Sequence, residues 1–323
     1  MLDLYLPMMR CAGVLAAAQL GLFAQLARKP ATAIRLAAAL HVQAHGVERL
    51  ADLLVSAGYL QRRRGGVYAN SAHTKRWFTP SGEVDFTAGL AWTREAWSLL
   101  GGLGPAIARG GPSVSLWQRM AKQPKLGVTF AKYMRAFAEF SSPRIAKAVT
   151  LPRGAKRLLD IGGSHGLHSI AFCRANPGLE AVVFDQAAAL RETRRHVRAS
   201  GMQSRITTRV GDCTKDDLGR GFDAILYFSV AHNQSASGNA RVLAKCSRAL
   251  NAGGVLVMHD YLRGHMPEPY NAAFDLTLLL EVGHRTYGLA DFQSWVRAAG
   301  LQRFRQHDLA PAAMGTLMTA TKP

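Results

Sequence analysis

RLLDIGGSHG, residues 157–166, compresses a strand, a tight turn and the start of a helix into one stretch. Leu158, Leu159 and Ile161 form a short apolar run around Asp160. Gly162 and Gly163 then call for a tight turn, and Gly166 opens a helical pattern through Leu167, Ile170 and Ala171. That order leaves several backbone N–H groups free at the mouth of a parallel sheet, and glycine suits the place because a Cβ would hold a ligand off the backbone. The next apolar run, 181–184, ends in Asp185. An acid about 20 residues past such a turn, at the end of a neighbouring strand, can take ribose hydroxyls. The pattern is not the dinucleotide Gly-x-Gly-x-x-Gly, because Ile161 stands at its first glycine.

From Lys156 onward, strand and helix patterns alternate. Strands are expected at 157–161, 180–184, 205–210, 223–228, 253–259, 302–308 and 315–321, and helices at 167–175, 187–200, 237–250 and 289–299. This alternation predicts a parallel α/β sheet with helices on both faces, and the last two strands, joined through Pro311, pair as an antiparallel hairpin. Ligands of such sheets bind at the carboxyl ends of the strands. Those ends read Asp160 with its glycine loop, Asp185-Gln186, Gly211-Asp212-Cys213, the segment from Ser229 to Asn233, and His259-Asp260. Four of the five carry an acid, and the remaining one carries His232.

Upstream, residues 7–27 begin at Pro7 and show helical spacing, with Gly21 tolerated inside. Thr32 caps a second helix, IRLAAAL. A third spans 44–57, with Val47, Leu50, Leu53 and Leu54 on one face and Gly58 as its stop. Strand-like pieces flank Gly65-Gly66, and Arg62, Arg63 and Arg64 precede them. Three helices and a basic hairpin make a winged helix. Its recognition-helix candidate carries only Glu48, Arg49 and Asp52 as charges, which suits dimerisation better than a groove of DNA. Residues 83–150 read as helical, with breaks at Gly101-Gly102, Gly104-Pro105 and Gly110-Gly111-Pro112. Trp92, Trp97, Trp117, Phe130, Tyr133, Met134 and Phe137 are core candidates. Phe130, Tyr133, Met134 and Phe137 also compete for the roof of a substrate pocket. The expected domains are 1–80, 81–152 and 153–323.

The composition fits a globular protein, with 48% hydrophobic and 19% charged residues in 323. No run of 18 apolar residues predicts a membrane span, and no basic segment precedes the first apolar residues as in a signal peptide. Cys11, Cys173, Cys213 and Cys246 are scattered without a CxxC pair, so neither a metal site nor a disulfide framework is expected, and a cytoplasmic location follows. The net charge of +19 divides as 19 basic against 7 acidic residues over 1–150, and 21 against 14 thereafter. Charge spread this way reads as solvated surface, so neither nucleic acid nor membrane is an expected partner.

DIGGSHG resembles the Asp-x-Gly-Gly-x-x-Gly nucleoside loop of class I methyltransferases that use S-adenosylmethionine (SAM). Nearly the whole chain is similar to the caffeic acid-type O-methyltransferase family of plants and bacteria. The resemblance implies a Rossmann-like sheet behind an N-terminal winged-helix dimerisation domain, a homodimer, SAM as cofactor, and a small molecule as methyl acceptor. Carried over residue by residue, Asp160, Gly162, Gly163 and Gly166 hold the methionine part of SAM and Asp185, with Gln186, its ribose. Gly211, Asp212 and Cys213 lie beside the adenine, with Phe228 and Ser229 nearby. His232 falls on the catalytic base and Asn233 on its neighbour in the pocket. Asp260 falls on one flanking acid and His284 on the other.

The departures are Ser164 for a glycine, Phe228 for a lysine, Asn233 for an aspartate and His284 for the second acid. The expected reaction is in-line methyl transfer to a hydroxyl of a small aromatic or polyketide-like metabolite, with His232 taking the proton. Its rivals are S-, N- or C-methylation in the same fold, non-methylating chemistry with bound SAM, and a winged-helix regulator that binds DNA.

Overall fold

A computed structural model of the chain describes residues 2–79, 86–309 and 315–323. Two compact units emerge: Met1–Leu100 with Val128–Ala136, and Gly101–Gly127 with Phe137–Pro323.

The first unit contains α1 (Leu2–Leu20), α2 (Leu22–Arg28), β1 (Ala31–Thr32), α3 (Ala33–Leu40), α4 (Ala44–Ser56), β2 (Leu60–Arg63), β3 (Val67–Asn70), α5 (Ala72–Trp77) and α6 (Thr87–Leu99). Thr32 caps α3 by accepting the N–H of Arg35 at 3.5 Å. Leu22, Phe23, Leu36, Leu54 and Tyr68 fill the core. The hairpin β2–β3 gains a third strand, β1, which the sequence does not announce. Two expectations about the first helix are corrected. It starts at Leu2, ahead of Pro7, which costs one backbone hydrogen bond inside α1. Gly21 adopts a left-handed φ of 77°, so it ends α1 and caps α2 instead of continuing one helix. No single helix among the described residues is long and apolar enough to cross a membrane; the pair α1 and α2, bent by 61°, passes only jointly.

The second unit begins with α7 (Leu103–Arg109) and α8 (Leu116–Lys122). The long α9 (Pro124–Ala148) follows and gives Val128–Ala136 to the first unit. Gly104-Pro105 does not break α7, because Pro105 lies in its first turn, where its missing N–H costs nothing. Trp97 and Trp117 are exposed, against expectation. Trp97 points about 140° around α6 from the buried Trp92, and Leu116 takes the inward place at the start of α8. Residues 83–85 of the expected helical stretch lie outside the described residues.

Then come β4 (Arg157–Ile161), α10 (Leu167–Ala175), β5 (Glu180–Asp185), α11 (Leu190–Ala199), β6 (Ile206–Val210) and β7 (Phe222–Phe228). They are followed by α12 (Ala236–Ala249), β8 (Leu250–Asp260), α13 (Tyr270–Glu281), α14 (Leu289–Ala298), β9 (Gln302–His307) and β10 (Thr316–Thr321). The sheet order is β6-β5-β4-β7-β8-β10-β9, parallel except for β10, which runs antiparallel to both neighbours. Pro311, expected between β9 and β10, lies outside the described residues.

Alternation along the strands sorts the core onto two faces. Leu159, Ile161, Ile225 and Tyr227 pack on one side with α12 and α14. Leu158, Ala224 and Leu226 pack on the other with α10 and the end of α9. Strand order reverses between β4 and β7, and that crevice is where ligands of such sheets bind. The helix α13 has no counterpart in the expected alternation. Its sequence, YNAAFDLTLLLE, is apolar nearly all round and gives no clean stripe.

Candidate active site

The turn after β4 is packed against any side chain. A Cβ on Gly162 (φ 69°) would lie 2.7 Å from Val230, one on Gly163 2.6 Å from the Asp160 carboxyl, and one on Gly166 (φ 72°) 2.8 Å from Thr193. The Gly162 N–H donates to the Phe184 carbonyl at 2.8 Å, which ties the turn to β5. Asp185, at the end of β5, accepts the Ser164 N–H at 2.9 Å and the Gln186 N–H at 2.6 Å. Burial raises its pKa, against those two bonds. Thr193 donates its hydroxyl to the Ser164 carbonyl and holds the loop from behind.

Asp160 is buried beneath this loop. Its Oδ2 accepts the Ser169 hydroxyl at 2.7 Å, whereas Oδ1 is buried and has no partner among the described residues. Burial pushes its pKa up to about 6, and Ser169 opposes the rise. A buried carboxylate with an unmatched oxygen is completed by a cation. The ammonium of an amino-acid moiety, such as the methionine part of SAM, would match that oxygen.

At the end of β6, the Gly211 N–H donates to the Asp185 carbonyl at 3.0 Å. A Cβ on Gly211 would fall 2.3 Å from the Phe184 ring. Asp212 is committed to its own turn: Oδ1 accepts the Thr214 N–H at 2.9 Å and hydroxyl at 2.7 Å. Partial burial would raise Asp212, but the Thr214 bonds and Lys215 outweigh it and hold it low. The Cys213 thiol is pushed up to about 11, by burial and then by Asp212, so it behaves as an apolar wall.

The end of β7 carries a group that sequence reasoning missed. The Phe228 ring meets His168 at 4.8 Å and His259 at 5.8 Å, and His165 lies 5.4 Å from His168. His168 Nδ1 is 2.9 Å from the Ser142 hydroxyl, and burial drives its pKa well below the usual value, so the ring is neutral. His165 and His168 stand three residues apart around the start of α10, and His259 of β8 joins them only through the fold.

Ser229 takes a left-handed φ of 54°, donates its N–H to the His259 carbonyl at 2.8 Å, and turns the chain into 231–233. The Asn233 amide donates to the Ser229 carbonyl at 3.1 Å, within the same turn. His232 is buried there, with Nδ1 2.5 Å from Asp260 Oδ1, which also accepts the Tyr261 N–H at 2.8 Å. Phe274 of α13 lies edge-on to the imidazole at 5.6 Å and Tyr261 at 6.2 Å. The turn is held on both flanks. Buried Asn239 accepts the Tyr227 hydroxyl at 2.6 Å and donates to the Ala231 carbonyl at 3.0 Å, while the Tyr287 hydroxyl donates to the Gln234 carbonyl at 2.7 Å. Val230, two residues before His232, is the atom group that Gly162 leaves room for. The glycine turn and the histidine turn are therefore in contact.

His284 is half-buried, and burial lowers its pKa. Among the described residues it makes no hydrogen bond or ring contact with His232. Glu281 at the end of α13, which sequence reasoning passed over, does feel the imidazole: burial pushes its pKa up to about 7, and His232 acts in the opposite direction. Of the roof candidates, Phe137 belongs to the second unit and Phe130, Tyr133 and Met134 to the first. There, Trp92 packs on Phe130 at 4.9 Å and on Tyr133 at 6.1 Å.

Comparison with known proteins shows the family of the chain. A family model for the O-methyltransferase domain matches residues 107–302, and one for the O-methyltransferase dimerisation domain matches residues 2–80. The chain is 28% identical to 3-hydroxy-5-methyl-1-naphthoate 3-O-methyltransferase of Streptomyces sahachiroi over 310 residues, 94% of this chain and 89% of that one. It is 26% identical to the N,N-dimethyltransferase OxyT of Streptomyces rimosus, covering 95% and 91% of the two chains. Human N-acetylserotonin methyltransferase, solved in complex with SAM, superposes with a TM-score of 0.87 over 99% of this chain and 96% of its own, at 20% identity. The match over residues 107–302 spans more than half of the sequence, and the chain belongs to the O-methyltransferase family.

Proposed function

We propose that this methyltransferase transfers the methyl group of SAM to a hydroxyl of a small aromatic, polyketide-like molecule, with His232 as the general base. The observation that carries this reading is the buried His232–Asp260 pair, set in a wall of aromatic rings and touching the glycine turn through Val230. The Streptomyces sahachiroi relative, named for methylation of a hydroxynaphthoate, supports an aromatic acceptor.

SAM bound in the cradle brings a methyl group already made electrophilic by its sulfonium. The chain's own residues do the rest. Asp160 Oδ1 would hold the ammonium and the glycine turn the rest of the methionine part, Asp185 would take the ribose, and Cys213 would lie against the adenine. Asp260 accepts the Nδ1 proton of His232 and so leaves the Nε2 lone pair for the acceptor. A phenol with a pKa near 10 gives its proton to an imidazole near 6.5 only as the oxygen gains the methyl, so proton and methyl transfer run together. Holding the reactants in line supplies most of the acceleration. A positioned base adds about 10²- to 10⁴-fold.

The test is turnover of a panel of hydroxynaphthoic acids by the wild type and by His232→Ala, with S-adenosylhomocysteine (SAH) measured as product. Loss of turnover with SAH binding intact supports the reading. Full turnover by the variant on the same acceptor removes His232 as base. Transfer to an amine is the second reading, favoured by the likeness to an N,N-dimethyltransferase. An amine attacks through its own lone pair, so that reading predicts methylated amines and little dependence on His232.

The chain assembles as a homodimer through its first unit. Support comes from the dimerisation-domain match over 2–80 and from Leu4, Tyr5, Leu6 and Met8, exposed on the first turns of α1. Of the three wing arginines, Arg62 is paired with Asp52 of its own α4 at 3.4 Å.

A further inference from the structure

We propose that α11 forms the outer wall of the cofactor cradle, with Thr193 and His196 as positioning residues that hold two consecutive carbonyls of the glycine turn in the shape that takes SAM. The inference rests on the reading of that turn as the SAM site.

Ser164 is the strained point of the turn. Its φ of 38° lies in the left-handed region, between Gly162 at 69° and Gly166 at 72°. Glycine adopts such angles freely, whereas the Cβ of a serine makes them costly. Left to itself, a serine favours a negative φ, which would rotate the peptide groups on either side of it. Bonds from outside the turn must therefore hold both groups. Asp185 holds the first, by accepting the Ser164 N–H at 2.9 Å. The helix α11 holds the second.

The Thr193 hydroxyl donates to the Ser164 carbonyl. Nearly one helical turn further on, His196 Nδ1 lies 2.9 Å from the His165 carbonyl. A carbonyl can only accept, so Nδ1 carries the proton. Residues 193 and 196 are i and i+3, so both donors leave the same face of α11. Leu190, Thr193 and Val197 are buried at i, i+3 and i+7, and Leu190 and Val197 fix that face in the core shared with Ile170 and Val183. Thr193 is wholly buried, so water cannot replace its bond. It also fills the space beside the last glycine, since a Cβ on Gly166 would lie 2.8 Å from Thr193 Cγ2. His196 is held from outside. Arg195 Nη2 stands 3.3 Å from its Nε2 and is itself bound to Glu192 at 2.5 Å.

These are contacts with the backbone of the turn, so Thr193 and His196 act on the cofactor through its shape. A turn that spends part of its time with Ser164 at negative φ binds only in proportion to the fraction correctly shaped. Removing the latch therefore lowers affinity for the cofactor.

The experiment is calorimetric titration of the full chain with SAH. Thr193→Val keeps the bulk of the side chain and loses the hydroxyl, so the Kd for SAH should rise roughly three- to tenfold, the worth of one hydrogen bond. Thr193→Ser keeps the hydroxyl and should stay within about twofold of wild type. Adding Ser164→Gly to Thr193→Val should recover most of the loss, because glycine needs no latch to hold a positive φ. A packing role alone predicts the reverse order, with the serine variant weaker than the valine one and nothing regained at position 164. Wild-type affinity in Thr193→Val, an equal loss in Thr193→Ser, or no recovery on adding Ser164→Gly overturns the proposal. Should Thr193→Val fail to fold, His196→Leu decides: weaker SAH binding at an unchanged melting temperature is expected, and wild-type affinity overturns the latch. A wild type that takes no SAH would defeat the cradle reading itself. Where the wild type binds SAH, the outcomes in the variants bear on α11 alone.

Discussion

His232 Nδ1 and Asp260 Oδ1 lie 2.5 Å apart, joining the turn after β7 to the last residue of β8. The two strands are hydrogen-bonded neighbours in the sheet, so both partners are anchored to the same framework. The second oxygen of Asp260 is buried without a partner among the described residues. The carboxylate therefore has one neighbour to serve, the imidazole, apart from the N–H of Tyr261.

Asp260→Asn keeps this shape but replaces an acceptor-only group with one that presents either end of an amide. The His232 tautomer is then no longer fixed, and the proposed imidazolium loses its counter-charge. Turnover should fall about 10²-fold, within the range of a positioned base, with SAH affinity within a factor of two of wild type. Equal losses in turnover and SAH affinity would place Asp260 in the cofactor site instead.

The orphaned oxygen of Asp160 yields a prediction about stability. Burial raises its folded pKa to about 6. A raised carboxyl favours the fold below the unfolded value, near 4, and that advantage is lost as pH climbs through about 6. Carrying the charge at pH 8 therefore costs the empty protein about 3 kcal/mol. Asp160→Asn should raise the melting temperature of the empty protein at pH 8 and leave it unchanged at pH 4. The same variant should bind SAH at least tenfold more weakly, because the ammonium loses its partner. Wild-type affinity for SAH should also drop as pH falls below 6. Calorimetric titration across pH checks both statements, and a variant that binds SAH normally would separate Asp160 from the cofactor.

The exposed start of α1 gives a prediction about assembly. Leu4 is 81% exposed and Leu6 54%. In a proposed dimer both lie against the second copy, where a charge is left without a partner. Leu6→Asp should shift the mass seen by light scattering from two chains towards one, without loss of helical content. A wild-type mass of one chain, or an unchanged mass in the variant, would remove this face from the interface.

How much of this was legible depends on how local each signal is. β4 and α10 fall at 157–161 and 167–175 as expected, because Gly162, Gly163 and Gly166 mark the turn with residues that cannot be replaced. Asp185 and Asp260 were legible for the same reason, since each ends an apolar run at a sheet edge. The helix α13 was not, because YNAAFDLTLLLE gives no clean stripe and only the fold brings its Phe274 to His232. His259 meets the ring of Phe228 opposite His168, and so nears the local pair His165 and His168, only in the fold. Gly21 was misread because helix spacing continues on either side of it, and only its left-handed φ shows the break.

The buried triad of Tyr227, Asn239 and Ala231 supports the last prediction. The Tyr227 hydroxyl donates to Asn239, and Asn239 passes the constraint to the Ala231 carbonyl, one residue before His232. Both side chains are almost wholly buried, so water cannot replace a lost bond. Burial lifts the Tyr227 hydroxyl far above its usual pKa, so it remains a donor at every working pH. Tyr227→Phe removes that donor and leaves Asn239 Oδ1 unmatched, a loss of about 1–3 kcal/mol in stability. The released amide can rotate, and the carbonyl it held sets the direction of the His232 turn. Turnover should fall more than SAH affinity, because the glycine turn keeps its own bonds to Phe184 and Asp185. Asn239→Asp separates the two effects. It keeps an acceptor for Tyr227 but sets a buried carboxylate against the Ala231 carbonyl, so its melting temperature should fall further than in Tyr227→Phe and its turnover further still. If the two variants lose turnover and stability in the same ratio, the network serves packing alone and His232 is positioned by Asp260 without it.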